Sequence, residues 1–238
     1  MKRYVLLSIS RRHLSLVGLL ILCILGLLAG ALSGRPCSVG ALALFEEQVV
    51  VIDPGHGGWD PGASGNGGVE KHIVLEISHY LRGYLEVSGA EVTMTRETDT
   101  DMSHSGEGWR ERSDLEARVA LGNASGADVF LSIHCNAFPS PRWGGAQTFY
   151  VAGRHPLNEP LALSVQKALV EHTGRTSREA SQKIDHYVLK NLEIPAVTVE
   201  VGFLSQPEEA RLLQTEGYQR RVAWAIFMGL ASFFRGSE

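Results

Sequence analysis

Three apolar segments of the sequence each run into a side chain that can bind a metal or transfer a proton. They are "VVVID", which leads to His56, "VFLSI", which leads to His134, and "PAVTV", which leads to Glu200. If these segments are parallel strands, their carboxyl ends meet at the sheet edge where open α/β folds bind ligands. Glu70 begins a helical pattern after a glycine-rich loop and can fold back to the same edge. We therefore expect the four side chains to line one crevice.

Two histidines and a carboxylate form a donor set that is typical of catalytic zinc, with one position left open for water or substrate. A single histidine on an apolar strand, such as His134, is more often a hydrogen-bonded core residue. A second histidine and two glutamates at equivalent strand ends favour the metal interpretation. Glu200 is then either paired structurally or placed near the metal as a general base or acid.

The elements that must position these residues alternate between strands and helices. Strand patterns occur at "QVVVID", "AEVTMTR", "ADVFLSIH", "GGAQTFYVA" and "PAVTVEVGF", with a short additional strand predicted at "DHYVLKN". Such alternation is typical of α/β folds. We predict a single domain with a central, largely parallel, twisted sheet of about six strands flanked by helices.

Local signals predict where the helices begin and end. Apolar residues at helical spacing follow Glu70, and Gly89 stands where that helix should stop. Ser113, with Glu116 three residues later, predicts a capping box at the start of a second helix. Gly174 marks the end of a third helix.

The first residues of the chain differ from the rest. Basic residues precede an apolar run from about Leu14 to Leu32, which is close to the roughly 20 residues that a bilayer span needs. Residues 1–34 are therefore predicted to be either a cleaved signal peptide or a signal anchor, with 35–47 as a linker and 48–238 as the folded domain. Both alternatives place the domain outside the cytoplasm.

The composition is that of an ordinary globular protein. The 238 residues are 44% apolar and 20% charged, with a formal net charge of −4. No long basic block offsets the negative charge, so nucleic acid is not expected as a partner.

Five motifs stand in order between Val49 and the C-terminus. They are "VVIDPGHGGWDPGA", "EK" at residues 70–71, "TMTRETD", "DLEARVALGNASGADVFLSIHCNA" and "PAVTVEVGFLSQPEEARLL". Together they resemble the zinc-dependent N-acetylmuramoyl-L-alanine amidases of the type-3 amidase family. The resemblance implies zinc ligands at His56, Glu70 and His134, and a catalytic glutamate at Glu200. It also implies hydrolysis of the amide bond between N-acetylmuramic acid and L-alanine in peptidoglycan.

Two further segments, "NAFPSPRWGGAQTFYV" and "DTDMSHSGEGWRERSDLEAR", resemble the germination-specific branch of that family. This resemblance implies removal of stem peptides so that muramic δ-lactam can form in the spore cortex. The expected partners are peptidoglycan, the membrane if the N-terminal segment is uncleaved, and an accessory or activator protein. The competing hypotheses are a metal-dependent peptidoglycan peptidase or deacetylase, and an inactive wall-binding module.

Other residues are candidates for supporting roles. Asn136 or a loop N–H is a candidate donor to the oxyanion, and Arg118 is a candidate contact for acidic groups of the stem peptide. Asp53 or Asp60 is a candidate for orienting His56. An ordinary turn, cap or helix-surface role is the alternative for the arginine and for both aspartates.

Three aromatic residues are further candidates for substrate contact. Trp143 and Tyr150 are candidates for facing a glycan chain, with core or rim packing as the alternative. His186 is a candidate substrate contact, although its polar surroundings favour a surface role.

Overall fold

The computed structural model describes residues 44–104, 109–183 and 186–236. The predicted leader segment and most of the predicted linker lie outside these ranges. Among the described residues, no helix combines the length and the apolar character needed to cross a bilayer.

A six-stranded sheet forms the centre of the domain. In spatial order its strands are β4 (Glu91–Met94), β1 (Val49–Pro54), β5 (Val129–Asn136), β8 (Ala196–Phe203), β6 (Gln147–Tyr150) and β7 (Ser181–Gln182). The first four are mutually parallel, whereas β6 is antiparallel to β8 and parallel to β7. The prediction of a single α/β domain with a largely parallel sheet of about six strands is confirmed.

Helices cover both faces of this sheet. One face carries α1 (Glu70–Val87), α3 (Asn158–Thr173) and α6 (Glu216–Gly236), and the other carries α2 (Arg110–Ala124) and α4 (Tyr187–Asn191). The short helix α5 (Pro207–Leu213) follows β8. In the chain, β1 is connected to α1 through a two-stranded antiparallel ribbon, which consists of β2 (Ser64–Gly65) and β3 (Gly68–Val69).

The alternation of side chains along the strands explains where polar residues collect. Val50 and Ile52 of β1 belong to the large core under α1, α3 and α6, whereas Val51 belongs to the smaller core under α2 and α4. Side chains two residues apart on a strand share a face. Asp53 therefore continues the face of Val51, and polar residues replace the small core at the carboxyl edge of the sheet.

Two local predictions are wrong. Helix α2 begins at Arg110, so Ser113 lies inside the helix and not at its cap; its Oγ accepts a hydrogen bond from the backbone N–H of His104. The predicted short strand at "DHYVLKN" is instead α4, which buries the neighbouring Val188 and Leu189 in the smaller core. A strand would point these two neighbours to opposite faces, so only a helix lets both reach that core.

The folded domain includes part of the segment predicted as a linker. Phe45 is fully buried and packs against Phe227 and Phe234 of α6, with ring centroids 5.3 and 5.7 Å away. Residue 45 therefore contributes to the large core, three residues before the predicted domain boundary at residue 48.

We predict that Phe45→Ala lowers the free energy of unfolding by about 3–5 kcal/mol, because it leaves a cavity against α6. Urea denaturation measures the change. Phe138→Ala is the matched control, since this ring is 53% exposed and its removal should change the free energy by less than about 0.5 kcal/mol. Equal effects of the two substitutions would contradict the assignment of Phe45 to the core.

Candidate metal centre

The four side chains at the predicted strand ends meet at the carboxyl edge of the sheet. His56 follows β1, His134 lies near the end of β5, and Glu200 is the register partner of His134 on the neighbouring strand β8. Glu70 is the first residue of α1 and is buried. The loop and ribbon between β1 and α1 return the chain to the same edge.

Three of these residues lie close enough together to hold one metal ion. Nε2 of His56 lies 3.2 Å from Oε2 of Glu70, and Nδ1 of His134 lies 2.9 Å from Oε1 of the same carboxylate. One donor atom from each residue lies within 4.8 Å of the others. Ligand atoms of a tetrahedral ion, each about 2.0–2.2 Å from it, stand roughly 3.3–3.6 Å apart. The three side chains therefore form a candidate metal site.

Neighbouring groups orient these candidate ligands. Asp60 Oδ2 lies 2.6 Å from Nδ1 of His56, so Nδ1 donates to this carboxylate and Nε2 faces Glu70. The backbone N–H groups of Ala63 and Cys135 donate to the two oxygens of Glu70 at 2.7 and 2.8 Å. A carboxylate that holds the outer nitrogen of a ligand histidine is a common feature of metal sites.

Burial and contacts determine the charge of the candidate ligands in the metal-free protein. Burial favours neutral Glu70, but its contacts with His134 and His56 outweigh burial and hold its pKa well below the usual range. Burial also opposes protonation of His56, but Glu70 and Asp60 raise the pKa of this imidazole to about 9. In the metal-free protein an ionised Glu70 therefore lies beside a protonated His56, and a metal ion that binds here must displace the proton of the imidazole.

Glu200 lies next to His134 on the neighbouring strand and has one oxygen without a partner among the described residues. Its side chain is largely buried, and Oε1 lies 3.4 Å from Nζ of Lys183. Oε2 is also buried and has no hydrogen-bond partner among the described residues. Such an oxygen is available to accept a proton or a hydrogen bond from a bound molecule.

A cleft of about 270 Å³ opens over this edge of the sheet. Its walls include His56, His134, Trp59 and His186. Nε2 of His186 lies 3.0 Å from Oγ1 of Thr198, and burial with the nearby charges of His134 and Lys183 lowers the pKa of His186 to about 3. His186 is therefore a neutral wall residue of the cleft and not a surface side chain.

A family model described as N-acetylmuramoyl-L-alanine amidase matches residues 50–232. The chain belongs to this family. The match spans every strand of the sheet except the first residue of β1. The amidase activity predicted from the sequence motifs is thereby confirmed, and the chain is a hydrolase that acts on peptidoglycan.

Individual relatives of the amidase are similar over most of their length. The germination-specific N-acetylmuramoyl-L-alanine amidase of Bacillus subtilis (strain 168) is 43% identical over 79% of this chain and 80% of its own. The amidase AmiA of Escherichia coli (strain K12) is 31% identical over 79% of this chain and 76% of its own. The CwlD amidase of Clostridioides difficile, solved in complex with the GerS lipoprotein, superposes with a TM-score of 0.76 and 36% identity, covering 79% of this chain and 99% of that one.

Two glycines of the amidase allow the loop to pass close to the ligands. A Cβ atom at Gly55 would overlap the imidazole ring of His134. A Cβ atom at Gly62, whose φ is +64°, would lie 2.6 Å from both Oε2 of Glu70 and Cδ2 of His56. Only glycine permits this approach, so the glycine-rich sequence is a requirement of the site.

His56 itself adopts a left-handed backbone conformation, with φ at +59°. A residue other than glycine pays on the order of 1–3 kcal/mol for this conformation and keeps it only when its surroundings enforce it. The sequence contains no signal for this conformation.

Arg118 is not available for the substrate contact predicted from the sequence. It is buried, and its five N–H donors bond to carboxylate oxygens of Asp53 and Asp114 and to the carbonyls of Pro54 and His56. A guanidinium has no further donors. Arg118 therefore joins elements of the amidase to one another.

The remaining candidates have different environments. Asp53 bonds to Thr95 and Ser132 as well as to Arg118, so Asp60 and not Asp53 contacts the ring of His56. Tyr150 is 5% exposed and is not available to a glycan, whereas Trp143 is 48% exposed.

The backbone carbonyl of Asn136 accepts a hydrogen bond from the N–H of Leu204. The role of the Asn136 side chain as a donor to the oxyanion stays a prediction. Lys183, which lies beside Glu200, was not found from the sequence because it follows a two-residue edge strand that has no pattern of its own.

We predict that Gly55→Ala lowers the free energy of unfolding of the metal-free amidase by about 1–3 kcal/mol, because the added methyl group overlaps His134. Gly83→Ala is the control. This exposed glycine in α1 has no atom within 4 Å of an added Cβ, so alanine should raise the free energy by about 0.5–1 kcal/mol. Denaturation curves that shift in the same direction for both variants would contradict the close approach.

Proposed function

We propose that the amidase is zinc-dependent and that His56, Glu70 and His134 hold the ion. The observation that carries the proposal is the donor set itself, two imidazole nitrogens and one ionised carboxylate at ligand spacing. This combination is the one found in catalytic zinc sites of the His₂Glu type. When bound, zinc supplies a Lewis acid for the amide carbonyl and makes water more acidic.

Glu200 is the proposed general base and general acid. Its free Oε2 accepts a proton from the attacking water as the water oxygen bonds to the carbonyl carbon. It then donates that proton to the alanine nitrogen as the C–N bond breaks, so the products are a muramic acid carboxylate and a free amine. The other oxygen, Oε1, lies 3.4 Å from Nζ of Lys183, which leaves Oε2 as the oxygen that faces the reaction.

We expect Glu200→Gln to keep zinc and to lose about 10²- to 10⁴-fold in cleavage of the substrate amide, because the glutamine side chain cannot accept the proton. Metal analysis and release of free amino groups from peptidoglycan measure the two properties. Glu208→Gln is the control, since this exposed glutamate of α5 pairs with Arg175 and should leave both properties unchanged. Near-normal turnover of Glu200→Gln would remove Glu200 from the mechanism.

The proposed substrate is peptidoglycan of the spore cortex. The proposal is supported by similarity to the germination-specific amidase of Bacillus subtilis. Removal of stem peptides there frees muramic acid carboxyl groups, which can then close to the δ-lactam after deacetylation. The proposed location is extracytoplasmic, with residues 1–34 as either a cleaved signal or a membrane anchor.

Accessory regulation is part of the same proposal. The CwlD amidase was solved with a lipoprotein bound, and by analogy we infer an accessory protein for this chain. The proposed ligands and the proposed general base all belong to this chain, so this inference concerns regulation and not a missing catalytic group.

Digestion of purified cortex and vegetative peptidoglycan, with and without a chelator, tests the proposal. Mass spectrometry is expected to find intact stem peptides that begin with free L-alanine, released from cortex only when metal is present. Cleavage within the stem peptide would indicate a peptidase, loss of acetyl groups a deacetylase, and binding without release an inactive module. Any of these three results would contradict the proposed reaction.

A further inference from the structure

Two buried arginines hold the backbone of the loop that carries His56. Arg118 donates to the carbonyl of Pro54 at 2.9 Å and to that of His56 at 2.7 Å. Arg96 donates to the carbonyl of Pro54 at 2.9 Å and to that of Gly55 at 2.8 Å. Three consecutive carbonyls are therefore bonded to two guanidinium groups, at the point where the chain enters its left-handed turn.

Arg96 also reaches the element that carries the second ligand. Its Nη2 donates to the carbonyl of Lys71 at 2.8 Å, and Lys71 directly follows Glu70 in the first turn of α1. Its Nη1 donates to the carbonyl of Thr98 at 3.0 Å. All of its hydrogen-bond acceptors in the described part of the chain are backbone carbonyls. Arg96 is therefore placed to join the His56 loop to α1, and it forms no close ion pair with any described residue.

Arg118 connects the same loop to the strand of the third ligand. Its Nη1 lies 2.6 Å from Oδ1 of Asp53, and Oδ2 of Asp53 accepts a hydrogen bond from Ser132 at 2.7 Å. Ser132 stands two residues before His134 on β5, on the same face. The position of His56 is thus tied to Glu70 through Arg96 and to the strand of His134 through Arg118.

A planar guanidinium group is suited to bonding several backbone carbonyls at once. It offers five donors in a rigid fork, whereas lysine offers three donors on a single nitrogen. A lysine at residue 96 keeps the positive charge but cannot reach carbonyls on both sides of the loop. The bridge between the two segments would then be lost while the charge is retained.

We propose that Arg96 and Arg118 are positioning residues of the metal centre, which hold His56 and Glu70 at ligand spacing before the ion binds. The proposal rests on the zinc dependence proposed above. If the arginines position the ligands, the guanidinium groups contribute to zinc affinity although they do not touch the atoms that would bind the ion. Groups in this outer layer commonly change metal affinity by about 10- to 100-fold.

The test compares the zinc dissociation constant of the wild-type protein with those of Arg96→Lys and Arg96→Met. Competition with a chromophoric chelator measures the constant, and thermal unfolding of the metal-free protein reports stability separately. Arg178→Lys is the matched control, because this partly buried arginine also donates to a carbonyl, that of Gly144, away from both ligand segments. We expect Arg96→Lys to weaken zinc binding by about 10- to 100-fold and the control to leave it unchanged.

An unchanged zinc dissociation constant in Arg96→Lys would overturn the proposal, whether or not the metal-free protein is less stable. If Arg96→Met does not fold, Arg96→Lys and Arg118→Lys decide the question by the same measurement. A wild-type protein that binds no zinc would instead refute the proposed zinc dependence, and this result is known before any variant is compared.

Discussion

One buried carboxylate, that of Glu70, is the point on which the site depends. Its two oxygens contact Nε2 of His56 and Nδ1 of His134, and they accept hydrogen bonds from the backbone N–H groups of Ala63 and Cys135. An ionised carboxylate away from water is costly unless such partners surround it. The loop that carries His56, the ribbon, helix α1 and strand β5 must all reach this group, so the position of each candidate ligand constrains the others.

The alternation of side chains along the parallel strands explains why reactive groups collect at this edge of the sheet. Along β5, Phe130 packs in the smaller core, and the same face then presents Ser132 and His134. Along β8 the same face passes from Ala196 to Glu200. Hydrophobic residues hold the strands in register, and the polar residues that follow inherit that register. The sheet thus both supports the site and sets the spacing of its residues.

The sequence was sufficient to predict the parts that depend on short-range patterns. Apolar runs ending at His134 and Glu200 have a clear meaning in an α/β sheet. The contacts of Arg96 and Arg118 with the His56 loop, Lys71 and Asp53 were not predictable, because they join residues 25 to 65 positions apart. Both arginines are charged side chains without a distinctive pattern around them. The short helix α4 was missed for another reason: five residues are too few to distinguish the helical period from the strand period.

The packing of Phe45 has a mechanical consequence. Phe45 lies under α6, on the face of the sheet opposite the cleft, and it precedes the amino end of β1, whereas His56 follows the carboxyl end. The six residues of β1 separate these ends by roughly 20 Å. Tension transmitted along the preceding chain would load the hydrophobic core rather than the ligand loop. The length of β1 therefore separates His56 from a load applied at residue 45.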